Sequence, residues 1–244
     1  MQDTGISPVV IVTGGFGALG AAIAEHAEQD GAIAVRTGRN PQPGGLAHDV
    51  RDPKSWEAVV DEVLGTHGRI DGLVNAAGQF GGVPQDVLSA TVGQWHELLD
   101  THVIGTWLGC AEIIRRRPGH LTSIVNVSST AGQMATPGML PYGAAKAAVT
   151  HLTRSVALYC ARSGLSIRCN AIAPALVDGG VRDGVLATVN SDPEQALSAY
   201  LSRVPLGRLV TVDEVAETAC QLMFTGGASL TGQILTISGG LGLA

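Results

Sequence analysis

The 244-residue chain lacks several features that would assign it to a special class of protein. It has no run of about 18 apolar residues, so we expect no membrane-spanning helix and no membrane partner. Residues 1–8 are polar and lack the basic and apolar regions of a secretory signal, which predicts a cytoplasmic protein. The net charge of −6 argues against nucleic acid as a partner.

Cysteine is also scarce, and its spacing gives no sign of a metal site. The cysteines are widely scattered, and none has the spacing of metal ligands or of a paired motif. We therefore expect reduced, mostly buried thiols and no bound metal. The residues are Cys110, Cys160, Cys169 and Cys220.

Lysine and tyrosine are rarer still, yet one of each forms a pair. The chain has two lysines and three tyrosines, and Lys146 follows Tyr142 by four residues. Residues four apart lie on one face of a helix, so the phenol and the ammonium can act on the same small volume. Ser129, thirteen residues before Tyr142, adds a hydroxyl. The alternative for Tyr142 is an ordinary half-buried tyrosine with a polar tip.

Short β-branched runs alternate with helical stretches, and no linker or change of composition marks a domain boundary. Strands are predicted near residues 8–13, 32–37, 71–75, 121–128, 166–173 and 233–238, with helices at 18–29, 53–65, 91–117 and 212–224. Such alternation indicates a parallel sheet with helices on both faces. The prediction is an α/β fold, a single doubly wound Rossmann-type domain over residues 1–244 with a mainly parallel, seven-stranded sheet.

One connection is too short for this pattern. Only six residues, two of them prolines, separate Arg39 from Leu46. A parallel crossover usually needs a dozen or more residues. We expect the helix between the second and third strands to be replaced by an extended link, which leaves the adenosine end of a cofactor site open.

The glycine-rich segment 13–20 (Thr-Gly-Gly-Phe-Gly-Ala-Leu-Gly) lies where the first strand turns into the first helix. Glycines there allow a pyrophosphate to approach the helix N-terminus, which favours anions. At the end of the second strand, where a carboxylate would bind the ribose hydroxyl of NAD, residues 35–40 contain no acid. Arg39 could bind a 2′-phosphate, so NADP(H) is favoured and NAD(H) stays possible. Alternatively, Arg39 is a solvated surface residue.

These motifs together resemble those of the short-chain dehydrogenase/reductase family. The resemblance rests on residues 13–20, Asn75-Ala76-Ala77-Gly78, Ser129, Tyr142-x-x-x-Lys146, the segments 170–174 and 205–208, and the tail 231–240. It covers nearly the whole chain. It implies an NAD(P)-dependent oxidoreductase that interconverts a carbonyl and a secondary alcohol of a small molecule. It also implies a homo-oligomer, a tetramer or a dimer.

The resemblance assigns roles to the catalytic set. Tyr142 would be the general acid in reduction and the base in oxidation, and Ser129 would position the substrate oxygen. Lys146 would bind the nicotinamide ribose and, with the oxidised nicotinamide, lower the pKa of Tyr142 from its usual value. The implied cofactor-binding residues are Gly14, Phe16, Gly17, Leu19, Arg39, Asp49, Val50, Asn75, Ala76, Ala77, Gly78, Tyr142, Lys146, Pro174 and Val177.

The chain departs from the family pattern at four positions. Ala18 replaces the middle glycine of the loop, and His102 stands where the family has an asparagine that holds a water of the proton relay. Histidine can hold a water and titrates near neutrality, so His102 is a candidate catalytic residue. Alternatively, it is a satisfied histidine on a helix face. Ala175 and Gly179 replace residues near the nicotinamide, and the four changes together favour a second hypothesis, a catalytically weak dinucleotide-binding sensor.

The substrate is not identified by the sequence. Residues 178–204 should form a lid that excludes water from the site. An NAD-dependent alcohol dehydrogenase is a further alternative. The apolar residues that could line a substrate pocket, or equally be structural contacts, are Met134, Met139, Val181, Val185, Leu186, Leu197 and Tyr200.

Overall fold

The strands form one parallel sheet of seven members, as the sequence predicts. The computed structural model describes residues 7–116 and 122–243, so most of the segment used for the signal-sequence expectation lies outside it. In chain order the strands are β1 (Val9–Thr13), β2 (Ile33–Gly38), β3 (Leu46–Ala47), β4 (Gly72–Asn75), β5 (Thr122–Val127), β6 (Ile167–Pro174) and β7 (Ile234–Ile237). Their spatial order is β3-β2-β1-β4-β5-β6-β7, and it reverses direction between β1 and β4. That reversal is where doubly wound folds bind nucleotides.

Helices cover both faces of the sheet. They are α1 (Ala18–Gln29), α2 (Pro53–His67), α3 (Val92–Leu99), α4 (Gly105–Arg116), α5 (Leu140–Arg162), α6 (Arg182–Ala187), α7 (Pro193–Leu201) and α8 (Val212–Cys220). One apolar core joins α1 and α8 to one face, and a second joins α2, α4 and α5 to the other. Strands β1, β4, β5 and β6 are buried along almost their whole length, as expected of the central strands of a sheet that is covered on both faces.

Local sequence signals set where several helices begin. Asp52 caps α2 by accepting a hydrogen bond from the Lys54 N–H at 3.0 Å, and Pro53 occupies the first helical position, as predicted. Thr91 with Gln94, and Thr211 with Glu214, form capping boxes at α3 and α8. The predicted starts at residues 53, 91 and 212 lie within one residue of the observed ones.

The predicted loss of a crossover helix is confirmed. Residues 39–45 contain no helix and lead directly into β3, which pairs with the last two residues of β2. The ring of Phe16 from the glycine loop lies against Gly38 and Gly45 of this link.

The predicted long helix is interrupted by a π-helical turn. Between α3 and α4, residues Asp100–Ile104 form this turn, and it places His102 in the interior. π-Turns add one residue to a helical turn and recur at functional sites. Hydrophobic periodicity cannot reveal one added residue, so the sequence predicted a continuous helix. The predicted end of that helix near residue 117 lies outside the described residues.

Two short helices, α6 and α7, occupy the segment between β6 and α8. They pack through Leu186, Ala196 and Tyr200 in an apolar cluster with Phe80 and Leu241. Among the described residues, no helix is both long and apolar enough to cross a membrane.

Candidate active site

A cavity of about 700 Å³ opens at the carboxyl ends of the strands. Its walls come from the loops after β1, β4, β5 and β6, from the π-turn and from the α6–α7 segment. Every predicted catalytic and cofactor-binding residue except Asn75 lines this cavity. The fold therefore brings the glycine loop and the Ser–Tyr–Lys set into one site.

The glycine loop is packed tightly against the loop after β4. Gly14 has a φ of +65°, and a Cβ there would lie 2.7 Å from the Ala77 Cα. The Thr13 hydroxyl accepts hydrogen bonds from the N–H groups of Ala76 (3.1 Å) and Ala77 (3.0 Å). The N-cap of α1 is Gly17, which has no side chain to cap the helix, so the N–H groups of its first turn are available to an anion. This cradle fits the pyrophosphate of a dinucleotide.

Asn75, which the sequence predicts at the cofactor site, does not line the cavity. Its amide donates a hydrogen bond of 2.8 Å to Asn126 Oδ1, and Asn126 in turn donates to the Thr153 hydroxyl at 3.0 Å. Both asparagines are buried, because they lie within the sheet rather than at its edge. This network ties β4 and β5 to α5, so Asn75 has a structural role.

The adenosine end of the cavity carries positive charge. Arg36 is held by Glu28 through two hydrogen bonds of 2.7 and 2.9 Å, whereas Arg39 is exposed on the cavity wall and, in the described part of the chain, has no such partner. Arg51, which the sequence reasoning missed, also lines the cavity and binds Asp49. Its hydrogen bonds lower the pKa of Asp49 to about 2.

Ser129, Tyr142 and Lys146 lie together at the end of β5. The Ser129 hydroxyl contacts the Pro174 carbonyl oxygen at 3.4 Å, and its nearness to the Tyr142 hydroxyl acts to lower the pKa of that phenol. Lys146 Nζ lies 5.7 Å from the centroid of the Tyr142 ring and donates a hydrogen bond of 2.8 Å to the Val127 carbonyl. The i, i+4 spacing on α5 thus produces the shared volume that the sequence predicted.

The catalytic helix is fixed to β5 by short polar contacts. The Ser128 hydroxyl donates to the Lys146 carbonyl at 3.0 Å and is hydrogen bonded to the Thr150 hydroxyl at 2.9 Å. Gly132 lies directly against α5, where a Cβ would be 2.6 Å from the Lys146 carbonyl carbon. These contacts set the position of Lys146 relative to Ser129.

The pKa values of the two central groups differ from the expectation. Burial raises the pKa of Tyr142 to about 12, and the nearby Ser129 hydroxyl offsets this only in part. Burial lowers the pKa of Lys146 to about 7. The protein's own residues therefore do not lower the pKa of Tyr142 below its usual value, because desolvation outweighs the effect of Ser129.

His102 lies beside this pair, and it does not titrate near neutrality as expected. Burial, and secondarily Lys146, lowers its pKa to about 3. Its Nε2 is hydrogen bonded to the Gln79 carbonyl oxygen at 2.8 Å, and its ring is perpendicular to that of Tyr142 at a centroid distance of 5.6 Å. The imidazole is neutral, and because Nε2 donates to Gln79, Nδ1 is left as an acceptor.

The part of the cavity beyond Tyr142 is mainly apolar. Of the residues proposed for a substrate pocket, Leu186 and Leu197 instead pack inside the apolar cluster of the α6–α7 segment. Sequence reasoning missed Arg203 and Leu241, which lie on the wall through tertiary folding alone. Among the described residues, no group of three or more His, Cys, Asp or Glu side chains could hold a metal ion. The predicted residues that do line this part are Met134, Met139, Val181, Val185 and Tyr200.

A doubly wound sheet with a dinucleotide cradle beside a Ser–Tyr–Lys set defines an NAD(P)-dependent oxidoreductase acting on carbonyls and alcohols. Comparison with known proteins agrees. A family model described as enoyl-(acyl carrier protein) reductase matches residues 16–242. The chain belongs to the short-chain dehydrogenase/reductase family.

Individual relatives span nearly the full chain. A putative ketoacyl reductase of Streptomyces coelicolor is 30% identical, with 97% of each chain covered. A 3-oxoacyl-(acyl-carrier-protein) reductase of Thermotoga maritima is 34% identical over 79% of this chain and 74% of its own length. The solved structure of the aldohexose dehydrogenase of Thermoplasma acidophilum is similar with a TM-score of 0.87 and 30% identity, covering 98% of this chain and 95% of that one.

Proposed function

We propose that this protein is an NADP(H)-dependent carbonyl reductase in which Tyr142 is the general acid. The observation that carries the proposal is that Ser129, Tyr142 and Lys146 line the same cavity as the glycine cradle, with Lys146 Nζ 5.7 Å from the centroid of the Tyr142 ring. Ketoacyl reductases among the relatives reduce the same functional group, which supports this assignment.

The side chains divide the work of one reduction. A bound dinucleotide would supply the hydride. Ser129 donates a hydrogen bond to the carbonyl oxygen and stabilises the charge that develops there. Tyr142 transfers its hydroxyl proton to that oxygen, and its raised pKa of about 12 keeps the phenol protonated until then. Oxidation of an alcohol would need the phenolate, which the positive charge of an oxidised nicotinamide favours.

His102 completes a proton relay behind Lys146 in this proposal. The Gln79 carbonyl fixes the tautomer of the imidazole, so its Nδ1 can hold a water by accepting a hydrogen bond. Its lowered pKa supports the role of a neutral acceptor rather than a titrating one. Asparagine, which the family has at this position, can accept a hydrogen bond in the same way.

The preference for NADP(H) rests on Arg39. Arg36 is neutralised by Glu28, and Asp49 is neutralised by Arg51, so the net charge at this end of the cavity favours a 2′-phosphate. The NAD-dependent alternative predicts that Arg39→Ala leaves the ratio of NADPH and NADH affinities unchanged. Our proposal predicts that NADPH alone loses affinity, by about tenfold.

We further propose that residues 178–204 close over substrate and that the single domain, 1–244, assembles into a homo-oligomer, a tetramer or dimer. The outer surfaces of the π-turn, α4 and α5 support the second point, since large apolar side chains are exposed there. They are Ile104, Trp107, Leu158 and Tyr159.

Turnover of a ketone panel with NADPH tests the main proposal. Tyr142→Phe removes the transferable proton but keeps the ring, so reduction should fall by at least about a hundredfold while NADPH binding persists. Turnover that survives this change would exclude the assigned mechanism. The sensor hypothesis, favoured by the changes at Ala18, His102, Ala175 and Gly179, predicts dinucleotide binding without turnover of any substrate tried.

A further inference from the structure

Charged side chains are unevenly distributed along the cavity. The dinucleotide half contains Arg39, Asp49, Arg51 and Lys146. The walls beyond Tyr142 are formed mainly by apolar side chains and glycines, and within the described residues only one charged side chain, Arg203, lines that half. No carboxylate of the described chain faces it there.

Arg203 differs from the other arginines around the α6–α7 segment. Arg182 is paired with Asp178 at 2.6 Å, and Arg208 is paired with Glu214 at 2.6 Å. Arg203 is exposed at the cavity wall, and its guanidinium has no acidic partner within residues 7–116 and 122–243. Arg182 and Arg208 are therefore neutralised by acids of the chain, whereas the charge of Arg203 is available to a ligand in the cavity.

The hydroxyl groups of this half are partly occupied. Thr188 donates its hydroxyl proton to the Val185 carbonyl at 2.7 Å, and the Tyr200 hydroxyl accepts the Leu176 N–H at 3.0 Å. A polyhydroxylated substrate needs many free partners, and a cationic one needs an acid, so neither suits this wall. An apolar body with one negative charge suits it.

We propose that the substrate is an apolar ketone, or the matching secondary alcohol, with an anionic group that Arg203 binds at the cavity wall. The inference rests on the proposed function, because the reacting carbonyl is placed at Ser129 and Tyr142. The anion is a carboxylate or a phosphate ester, both of which a guanidinium binds through paired hydrogen bonds. Arg203 is then a specificity-determining residue and has no part in proton transfer.

A structural role for Arg203 is the competing explanation. Arg203 follows the C-terminus of α7, and its backbone N–H bonds the Tyr200 carbonyl at 3.1 Å. A cation near a helix C-terminus is favoured by the helix dipole. Such a role would affect all substrates equally, whereas ion pairing would affect only charged ones.

The test uses NADPH and two series of ketones. One series compares keto acids of increasing chain length with their primary amides. The other compares the phosphate esters of keto alcohols with the free keto alcohols. In wild type, kcat/KM should favour one anionic series over its neutral counterpart. Arg203→Ala should lower kcat/KM for that series by about tenfold, through KM, and leave the neutral series unchanged. The matched control is Arg162→Ala, which removes the same charge from an exposed position off the cavity wall.

The outcomes separate the two proposals. Equal losses on anionic and neutral substrates, or no loss on either, would overturn the role of Arg203. If no substrate is reduced, the proposed function fails. Equilibrium binding of the same compounds to the NADP-loaded protein then tests whether Arg203 binds the anionic group. Tighter binding of the anions, lost in Arg203→Ala and kept in Arg162→Ala, would support it; binding without that pattern would overturn it.

Discussion

Burial separates the pKa values of two residues that ordinarily titrate close together. Tyr142 keeps its proton up to a pH of about 12, while Lys146 gives up its own above about 7. In water both side chains titrate near pH 10. The protein therefore holds a neutral phenol over the whole physiological range, which suits proton donation, and leaves the charge of the lysine sensitive to pH.

This arrangement predicts a pH dependence for carbonyl reduction. Because the pKa of Lys146 is lowered to about 7, its positive charge is present below that pH and is lost as the pH rises through it. We expect kcat/KM, which reports the free enzyme, to fall between pH 6 and pH 9. Steady-state rates across that interval measure the effect. Lys146→Arg, which keeps its charge, should have a lower but pH-independent residual activity, and a flat wild-type profile would contradict the prediction.

His102 offers a second test at the level of one residue. If it holds a relay water as a neutral acceptor, His102→Asn retains an acceptor and should keep most of kcat. His102→Ala removes it and should lower kcat by about tenfold or more with little change in KM. Steady-state kinetics of the two variants decide the matter. Equal losses in both would show that the imidazole has only a structural role.

Which site residues could be predicted depended on how they reach the cavity. Gly14, Ser129 and Lys146 belong to local motifs, and their spacing along the chain carries the signal. Asn75 belongs to the same motif as Ala76, yet its side chain points from the end of β4 to the face that α4 covers, where it contacts Cys110 and Asn126. Arg203 reaches the wall only through the packing of α7, for which no local pattern exists.

At the scale of elements, the catalytic geometry depends on the contact between the short helix at Thr130–Gly132 and α5. Gly132→Ala would place a methyl group 2.6 Å from the Lys146 carbonyl carbon, so the backbones must separate. We expect a loss of about 1–3 kcal/mol in the free energy of unfolding, together with lower kcat. Denaturant titration and kinetics measure the two effects.

The matched control is Gly65→Ala in α2, where the added methyl group would meet nothing within 4 Å. Alanine is the better helix former, so stability should rise by up to about 1 kcal/mol and activity should stay unchanged. If Gly132→Ala had the stability and activity of wild type, the prediction would be contradicted, because the short helix at Thr130–Gly132 and α5 could then separate without affecting either property.

The elements themselves were predicted well where periodicity or caps mark them. The strand positions, α1 and the start of α2 follow from β-branched runs, alanine content and the Asp52-Pro53 cap. The π-turn at Asp100–Ile104 and the bounds of α6 and α7 were not predicted. Their formation depends on tertiary packing, because six- and nine-residue helices are too short to be stable by propensity alone.

For the whole molecule, two buried histidines predict sensitivity to acid. The pKa values of His48 and His102 are lowered to about 4 and about 3 by burial, whereas both take up protons near 6.5 when unfolded. Between these values the unfolded chain binds more protons, so stability falls as the pH falls below 6.5. Each histidine should contribute about 2 kcal/mol to the loss between pH 7 and pH 5.

Denaturant unfolding of wild type and His102→Asn at fixed protein concentration measures this loss. Other titrating groups contribute equally to both proteins, so the difference between them isolates His102. The difference in the free energy of unfolding between the two proteins should change by about 2 kcal/mol from pH 7 to pH 5, because the variant loses less stability than wild type. Parallel curves would contradict the prediction.

Because β3 is short, part of β2 forms an open edge of the sheet that could pair with another molecule. β3 pairs only with Thr37 and Gly38, so residues 33–36 of β2 have no strand neighbour on that side within the described part of the chain. An open strand edge is a template for edge-to-edge aggregation. Here the edge is four residues long and carries Arg36, which is anchored by Glu28. A short edge and a charged side chain both hinder such pairing, so we expect the short link after β2 to leave the sheet protected against edge-to-edge aggregation.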